Sequence, residues 1–271
     1  MKNRLLTSIR KAQHKESKLF CAYLTLGYPN MDTTQRLIHA FQAEGVDMIE
    51  LGFPFSDPLA DGPTIQHASE LALKRGVRLK DAFSMARRIR QAGNEIPLIF
   101  FGYFNPIFHY GCRRFAQEAK RAGFDALIVP DLPPDSERTF RKDCRHVGLL
   151  QIFLIAPTTS NKRAGMIANA SSGFIYYVSV RGVTGVRHSL PRDIGRHLRE
   201  IKKRIRQPIL IGFGVSTPEQ AKALSRFSSG VIVGSALIDQ IRLSHGKISR
   251  VIGLVRRMVR ALKKKNPPYP C

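Results

Sequence analysis

Short β-branched or aromatic runs alternate with amphipathic helical patterns along this chain, and the alternation recurs eight times in 271 residues. The runs are Leu19–Thr25, Asp47–Gly52, Pro97–Tyr103, Ala126–Pro130, Leu150–Ile155, Phe174–Ser179, Pro208–Gly212 and Gly230–Gly234. Most are nearly continuous apolar stretches, the pattern of parallel strands covered on both faces. Eight strands, each followed by a helix, predict closure into a (β/α)8 TIM barrel. An open doubly wound sheet would want the G-x-G-x-x-G fingerprint after its first strand, and that fingerprint is absent. No linker-like stretch divides the chain, so residues 1–271 read as one domain with a frayed basic tail from about 263.

The helical segments carry ordinary start and stop signals. An extra helix before the first strand presents Leu5, Leu6 and Ile9 on one side. Asp32 is the expected cap of a helix with Leu37, Ile38 and Phe41 inward and Gly45 past its end. Phe115, Ala119 and Ala122 form a stripe before Gly123, and Thr217-Pro-Glu-Gln220 reads as a capping box. Ile248, Val251, Ile252, Val255, Val259 and Leu262 line the last helix.

Composition excludes several classes of function. No apolar run approaches the ~18 residues of a membrane span, and the N-terminus lacks the apolar segment of a secretory signal. Cys21, Cys112, Cys144 and Cys271 are far apart with no C-x-x-C pair, which suits free thiols in a reducing cytoplasm. The eight histidines show no metal-ligand spacing. Lys and Arg number 44 against 20 acids, a net charge of +24. The basic residues are scattered over many helices and cluster only in the tail 261–271, without a nucleic-acid-binding motif. A soluble enzyme for an anionic substrate accounts for this charge better than specific nucleic-acid binding.

In such barrels the site lies at the C-terminal ends of the strands and in the loops that follow. Glu50 interrupts the second, apolar strand, where an unpaired carboxylate would be expensive to bury. A salt-bridged or outward-facing Glu50 is the bland reading; at a dry barrel mouth a raised pKa suits proton transfer. The following loop holds Ser56, Asp57 and Asp61, and acids there are often only turn formers. Asp61 stands out because Gly62 and Pro63 follow it and a helix begins at Thr64, which places it at the same mouth.

Glycines recur in the last three loops, as Gly182-Val-Thr-Gly185, Gly212-Phe-Gly214 and Gly234-Ser235. Backbone N–H groups approach phosphate oxygens best where no Cβ intervenes, so this set predicts a phosphate cradle. Ser235 fits both as a hydroxyl donor and as a helix N-cap. Phe101, Tyr103, Tyr176 and Phe213 are candidate pocket walls; the two phenols are favoured because a buried phenol needs a partner.

The segment Ile49-Glu-Leu-Gly-Phe-Pro-Phe-Ser-Asp-Pro-Leu-Ala-Asp-Gly62 resembles the signature of the tryptophan synthase α-chain family, and Pro63-Thr-Ile-Gln66 continues it. Leu24-Thr-Leu-Gly27, Asn105-Pro-Ile107, Val129-Pro-Asp-Leu-Pro133, Ala156-Pro-Thr-Thr159 and the three glycine motifs are similar as well, in order along nearly the whole chain. The resemblance implies retro-aldol cleavage of indole-3-glycerol phosphate to indole and glyceraldehyde 3-phosphate. It implies no cofactor in this chain and a pyridoxal-phosphate β-chain partner in an αββα heterotetramer. Glu50 would be the general acid/base, and Asp61 would hold the indole N–H. Tyr103, Tyr176, Phe213 and the loop residue Thr184 would contact substrate. Gly185, Gly214, Gly234 and Ser235 would cradle phosphate, and Asp57 with the Asn105-Pro106 loop would face the β chain.

The chain departs from the family at Tyr28 (commonly Asp), at Ala22 (often Phe, beside the indole pocket) and at Val180 (often Arg). An α-type subunit that mainly activates its β chain is therefore the alternative to a fully active lyase. A phosphate-binding relative such as indole-glycerol-phosphate synthase would want a lysine on a barrel strand, and none of the eight has one.

Overall fold

The computed structural model describes residues 3–178, 194–212, 214–244 and 247–263. Strands β1 (Leu19–Thr25), β2 (Met48–Gly52), β3 (Leu98–Phe101) and β4 (Ala126–Ile128) are followed by the short segments β5 (Leu150–Ile152) and β6 (Leu154–Ile155). Strands β7 (Ile175–Val178), β8 (Ile209–Gly212) and β9 (Gly230–Val233) complete one parallel sheet, in the order β5-β4-β3-β2-β1-β9-β8-β7-β6. Only Phe153 separates β5 from β6, so the two ends of the sheet are consecutive in the chain. The nine segments thus make eight staves of a barrel, as the alternation predicted, with the fifth stave split.

Each crossover is helical. The helices are α1 (Arg4–His14), α2 (Met31–Ala43), α3 (Pro63–Lys74), α4 (Leu79–Gln91), α5 (Phe104–Tyr110), α6 (Cys112–Ala122) and α7 (Arg138–His146). After these come α8 (Asn161–Ala170), α9 (Ile194–Lys202), α10 (Pro218–Ser225), α11 (Ser235–Leu243) and α12 (Ile248–Lys263). Nearly every strand residue is buried, because the inner face fills the barrel and the outer face meets helices. Among the described residues no helix is long and apolar enough to cross a membrane.

Helix α1 closes the N-terminal end of the barrel. Leu5 is wholly buried, and a Cβ at Gly173 would lie 3.2 Å from its side chain. Asn3 caps the helix, accepting from Leu5 N at 3.0 Å, and donates from its amide to the Asp125 carbonyl at 2.9 Å. The buried Asp125 carboxylate accepts from the N–H groups of Arg4 (3.3 Å) and Leu98 (3.0 Å) and from the Arg90 guanidinium (3.0 Å). One paired carboxylate thereby joins α1, α4 and the start of β3 beneath the barrel.

Some local expectations change. Asn30, not Asp32, caps α2: its side chain accepts from Thr33 N at 2.8 Å, and Asp32 sits in the first turn. On α12 the buried stripe is Val251, Leu254, Val255, Met258 and Leu262, leaving Ile252 and Val259 at its edge. Lys263 does not fray. Its ammonium pairs with the Asp47 carboxylate at 2.7 Å beside the start of β2. The capping box at Thr217 and Gln220 forms as read.

Candidate active site

Glu50 points into the barrel because the β1–β2 register pairs it with Tyr23, and paired residues of neighbouring strands share a face. It is 1% exposed, and its Oε1 has no hydrogen-bond partner among the described residues. Burial pushes its carboxyl up to about 8, opposed by a hydrogen bond from the Cys21 side chain. At neutral pH this carboxyl is therefore a protonated acid.

Asp61 reaches the same pocket from the loop between β2 and α3. Two hydrogen bonds hold the loop: Asp61 N donates to Pro58 O at 3.0 Å, and the Gln66 side-chain amide on α3 donates to Asp61 O at 2.8 Å. Burial raises the Asp61 carboxyl to about 6, opposed by the Tyr103 side chain. The pocket thus places a protonated acid beside a carboxylate at pH 7, two roles set by environment.

Glu50 and Asp61 line one pocket together. Apolar and aromatic residues wall it: Tyr23, Ile65, Phe101, Tyr176 and Ile232. Tyr23 meets Phe101 edge-on at 5.6 Å. Two glycines make room for the phenols, since a Cβ at Gly52 would lie 2.1 Å from the Tyr23 hydroxyl. One at Gly212 would lie 2.2 Å from the Tyr176 hydroxyl.

The pocket wall also includes Gly214, Ser216, Gly234, Ser235 and Ala236. Gly214 has φ +81°, a left-handed conformation open to glycine. Gly234 occupies the N-cap of α11 without a side-chain cap, so the first-turn N–H groups of that helix open on the pocket. Ser235 is the first helical residue, not the N-cap expected from sequence, because the chain turns helical one residue earlier.

Glu50, Asp61, Phe101, Tyr176, Gly214, Gly234 and Ser235 are therefore brought together as expected. Tyr103 is not on the wall. It stands behind Asp61, accepting the Ala60 N–H at 3.0 Å and stacking on Phe55 at 5.3 Å. Thr184, Gly185, Phe213 and Val180 lie outside the described residues. Asp57 and Asn105 are exposed and Pro106 half-buried, but the last two belong to helix α5 and not to a loop. The Asp131 carboxylate accepts the Phe104 N–H at 3.0 Å and so starts that helix. Sequence reasoning missed Tyr23 and Ser216. It also placed the aromatic contact at position 22, whereas alternation along β1 turns Ala22 away and Tyr23 into the pocket. Among the described residues no cluster of His, Cys, Asp and Glu could hold a metal ion.

Residues 9–266 match the family model for the tryptophan synthase alpha chain. The chain belongs to the tryptophan synthase alpha chain family. It is 43% identical over 248 residues to the tryptophan synthase alpha chain of Dehalococcoides mccartyi, covering 92% of this chain and 96% of that one. The Thermoanaerobacter sp. (strain X514) alpha chain is 40% identical over 261 residues, 96% of this chain and 98% of the relative. Among solved structures, the alpha chain from Legionella pneumophila superposes with TM-score 0.89 at 34% identity, covering 97% of this chain and 98% of that one. The aminoacrylate-bound tryptophan synthase of Mycobacterium tuberculosis gives TM-score 0.86 at 30% identity, covering 97% and 100%. The tryptophan synthase alpha fold is thus the barrel described above.

Proposed function

We propose that Glu50 and Asp61 carry out the lyase reaction of this family, cleaving indole-3-glycerol phosphate to indole and glyceraldehyde 3-phosphate in tryptophan biosynthesis. One observation carries this reading: a buried carboxyl held up to about 8 shares a pocket with a second acid and a glycine-lined helix N-terminus.

The bond between indole C3 and the glycerol carbon breaks only after C3 is protonated, because the electron pair then flows into the cationic ring. Glu50 starts protonated and gives its proton to C3. The Asp61 carboxylate holds the indole N–H and stabilises the positive charge that develops there. The Glu50 carboxylate, now beside the glycerol hydroxyl, takes that proton as the C–C bond breaks and the aldehyde forms. Glu50 ends as it began, so no net proton enters or leaves. Ring and phosphate bind at opposite ends of the pocket, the ring between Tyr23, Phe101 and Tyr176. The phosphate lies against Gly214, Gly234 and Ser235. The roles that the family resemblance implies for Thr184, Gly185, Phe213 and Val180 fall outside the described residues.

The chemistry rests on carboxyl groups of this chain, and pyridoxal phosphate belongs to a β-chain partner in an αββα heterotetramer. Leu59 (84% exposed) and Phe108 (63% exposed) lie on the segments that carry Asp57, Asn105 and Pro106. Exposed apolar side chains on these two segments support docking of that partner here. Free thiols at Cys21, Cys112 and Cys144 support residence in a reducing cytoplasm.

Indole release from indole-3-glycerol phosphate, measured with and without a β chain, tests the whole reading. Glu50→Gln and Asp61→Asn should each abolish release while the fold persists. Near-normal turnover in either variant overturns the assignment.

A further inference from the structure

One side chain on α10 holds the segment that joins β8 to that helix. The Gln220 Oε1 accepts from Ser216 N at 2.9 Å, from the Ser216 hydroxyl at 2.9 Å and from Thr217 N at 3.3 Å. The bond from Thr217 N belongs to the capping box of α10, which the Thr217 hydroxyl completes by accepting Gln220 N at 3.2 Å. The two bonds from Ser216 lie outside that box, and helix capping does not require them. Ser216 lines the pocket together with Gly214 and Val215, so these two bonds fasten the pocket wall itself.

The anchor is firm, because α10 packs on α12 and β9 with Ala221 and Leu224 buried. The tethered segment is not firm by its own sequence. Gly214 stands at φ +81°, and a glycine loses more conformational freedom than any other residue when it is fixed. Among the described residues no partner takes the N–H of Gly214 or of Val215. Both donors of Ser216, by contrast, are taken up by Gln220.

We propose that Gln220 is a positioning residue for the phosphate-binding wall, its amide oxygen holding the Gly214–Ser216 segment in the conformation that offers backbone N–H groups to the substrate phosphate. This rests on that wall being the phosphate site of the lyase reaction. Ser216 is then a tether and not itself a phosphate ligand. A segment without its clamp has to be ordered by the ligand on binding, and the entropy of ordering is subtracted from affinity. The phosphate is remote from the C–C bond that breaks. Loss of the clamp therefore weakens substrate and transition state alike, and it shows in KM, not in kcat.

The test compares Gln220→Ala and Thr217→Ala with the parent. Glycerol 3-phosphate titrated into the free chain, followed by calorimetry and by the Gly214 amide NMR signal, reports the phosphate site without turnover. Indole release with saturating β chain reports kcat and KM. Each substitution removes one half of the capping box, so a purely helix-capping role predicts that the two variants behave alike. Gln220→Ala is expected to weaken glycerol 3-phosphate binding and to raise KM by roughly five- to tenfold, with kcat within about twofold of the parent. Thr217→Ala should lower the denaturation midpoint comparably and leave KM and glycerol 3-phosphate affinity within about twofold. Parent-like affinity in Gln220→Ala overturns the proposal, and so does equal weakening in the two variants. Should alanine impair folding, Gln220→Met keeps the stem without the acceptor, and parent-like affinity there is equally decisive. A parent whose Gly214 signal ignores glycerol 3-phosphate would remove the phosphate site and this proposal with it. A parent that binds while Gln220→Ala binds as well removes the proposal alone.

Discussion

The Tyr103 hydroxyl accepts the Ala60 N–H at 3.0 Å and hydrogen-bonds the neighbouring Asp61 carboxyl, so one phenol bears on both the backbone and the charge of the loop between β2 and α3. Phe55 stacks on the same ring, which gives the loop an apolar anchor as well. Tyr103→Phe keeps that stacking and removes both hydrogen bonds. Stability should fall by about 1 kcal/mol, the usual net worth of such a bond. Because the bond from Tyr103 favours the Asp61 carboxylate, its loss raises the Asp61 pKa. The acid limb of the pH–rate profile should move up, and kcat/KM at pH 6.5 should fall by roughly twofold.

The parent profile should itself be bell-shaped. Asp61 acts as a carboxylate, so activity is lost as pH falls through about 6. Glu50 starts as the acid, so activity is lost as pH rises through about 8. The kcat/KM profile of the free enzyme reports both limbs. Activity that keeps rising above pH 9 would contradict the assignment of Glu50 as the initial acid.

Burying Glu50 also costs stability in a pH-dependent way. Its folded pKa, about 8, lies above its ordinary 4.5, so the folded state binds the proton more tightly than the unfolded chain. Stability therefore falls as pH rises from about 4.5 to about 8 and stays low above that. Glu50→Gln removes the titration. Chemical denaturation should show the variant gaining on the parent by a few kcal/mol between pH 5 and pH 9. Parallel curves for the two proteins would show that Glu50 ionises freely in the fold.

Gly52 bounds the pocket by what it lacks. A methyl there would lie 2.1 Å from the Tyr23 hydroxyl and 2.4 Å from its Cζ, so Gly52→Ala must displace the phenol. A loss of about 1–3 kcal/mol in denaturant is expected, with kcat/KM lowered at least about tenfold. Tyr23→Leu in the same chain should restore much of the stability without restoring the activity.

Beneath the barrel, Asp125 is a purely structural acid. Asp125→Ala would leave the Arg90 guanidinium and the Leu98 N–H without their shared acceptor, at a cost of about 3–5 kcal/mol. The pH limbs and KM of the surviving folded enzyme should not change, because the network lies at the opposite end of the barrel from Glu50.

The sequence by itself determined the elements and their closure, because alternating strand and helix periodicities are local properties and eight such units have few ways to bury their faces. It also placed Glu50, Asp61, Gly214 and Gly234 at one end, because residues at and just beyond the strands' C-terminal ends meet there in any barrel of this kind. What only the tertiary structure decided is which side chains touch. Tyr23, not position 22, enters the pocket, because the β1–β2 register is a pairing between distant segments. Tyr103 turns from a wall residue into the support of Asp61 because the loop before α3 folds back over β3's end. Ser235 yields the N-cap to Gly234 because the N-terminal boundary of α11 is set by packing over the barrel mouth, not by the propensity of serine. The proton affinities of the two acids belong to the same level: burial raises the Glu50 carboxyl to about 8, and burial opposed by the Tyr103 side chain raises Asp61 to about 6.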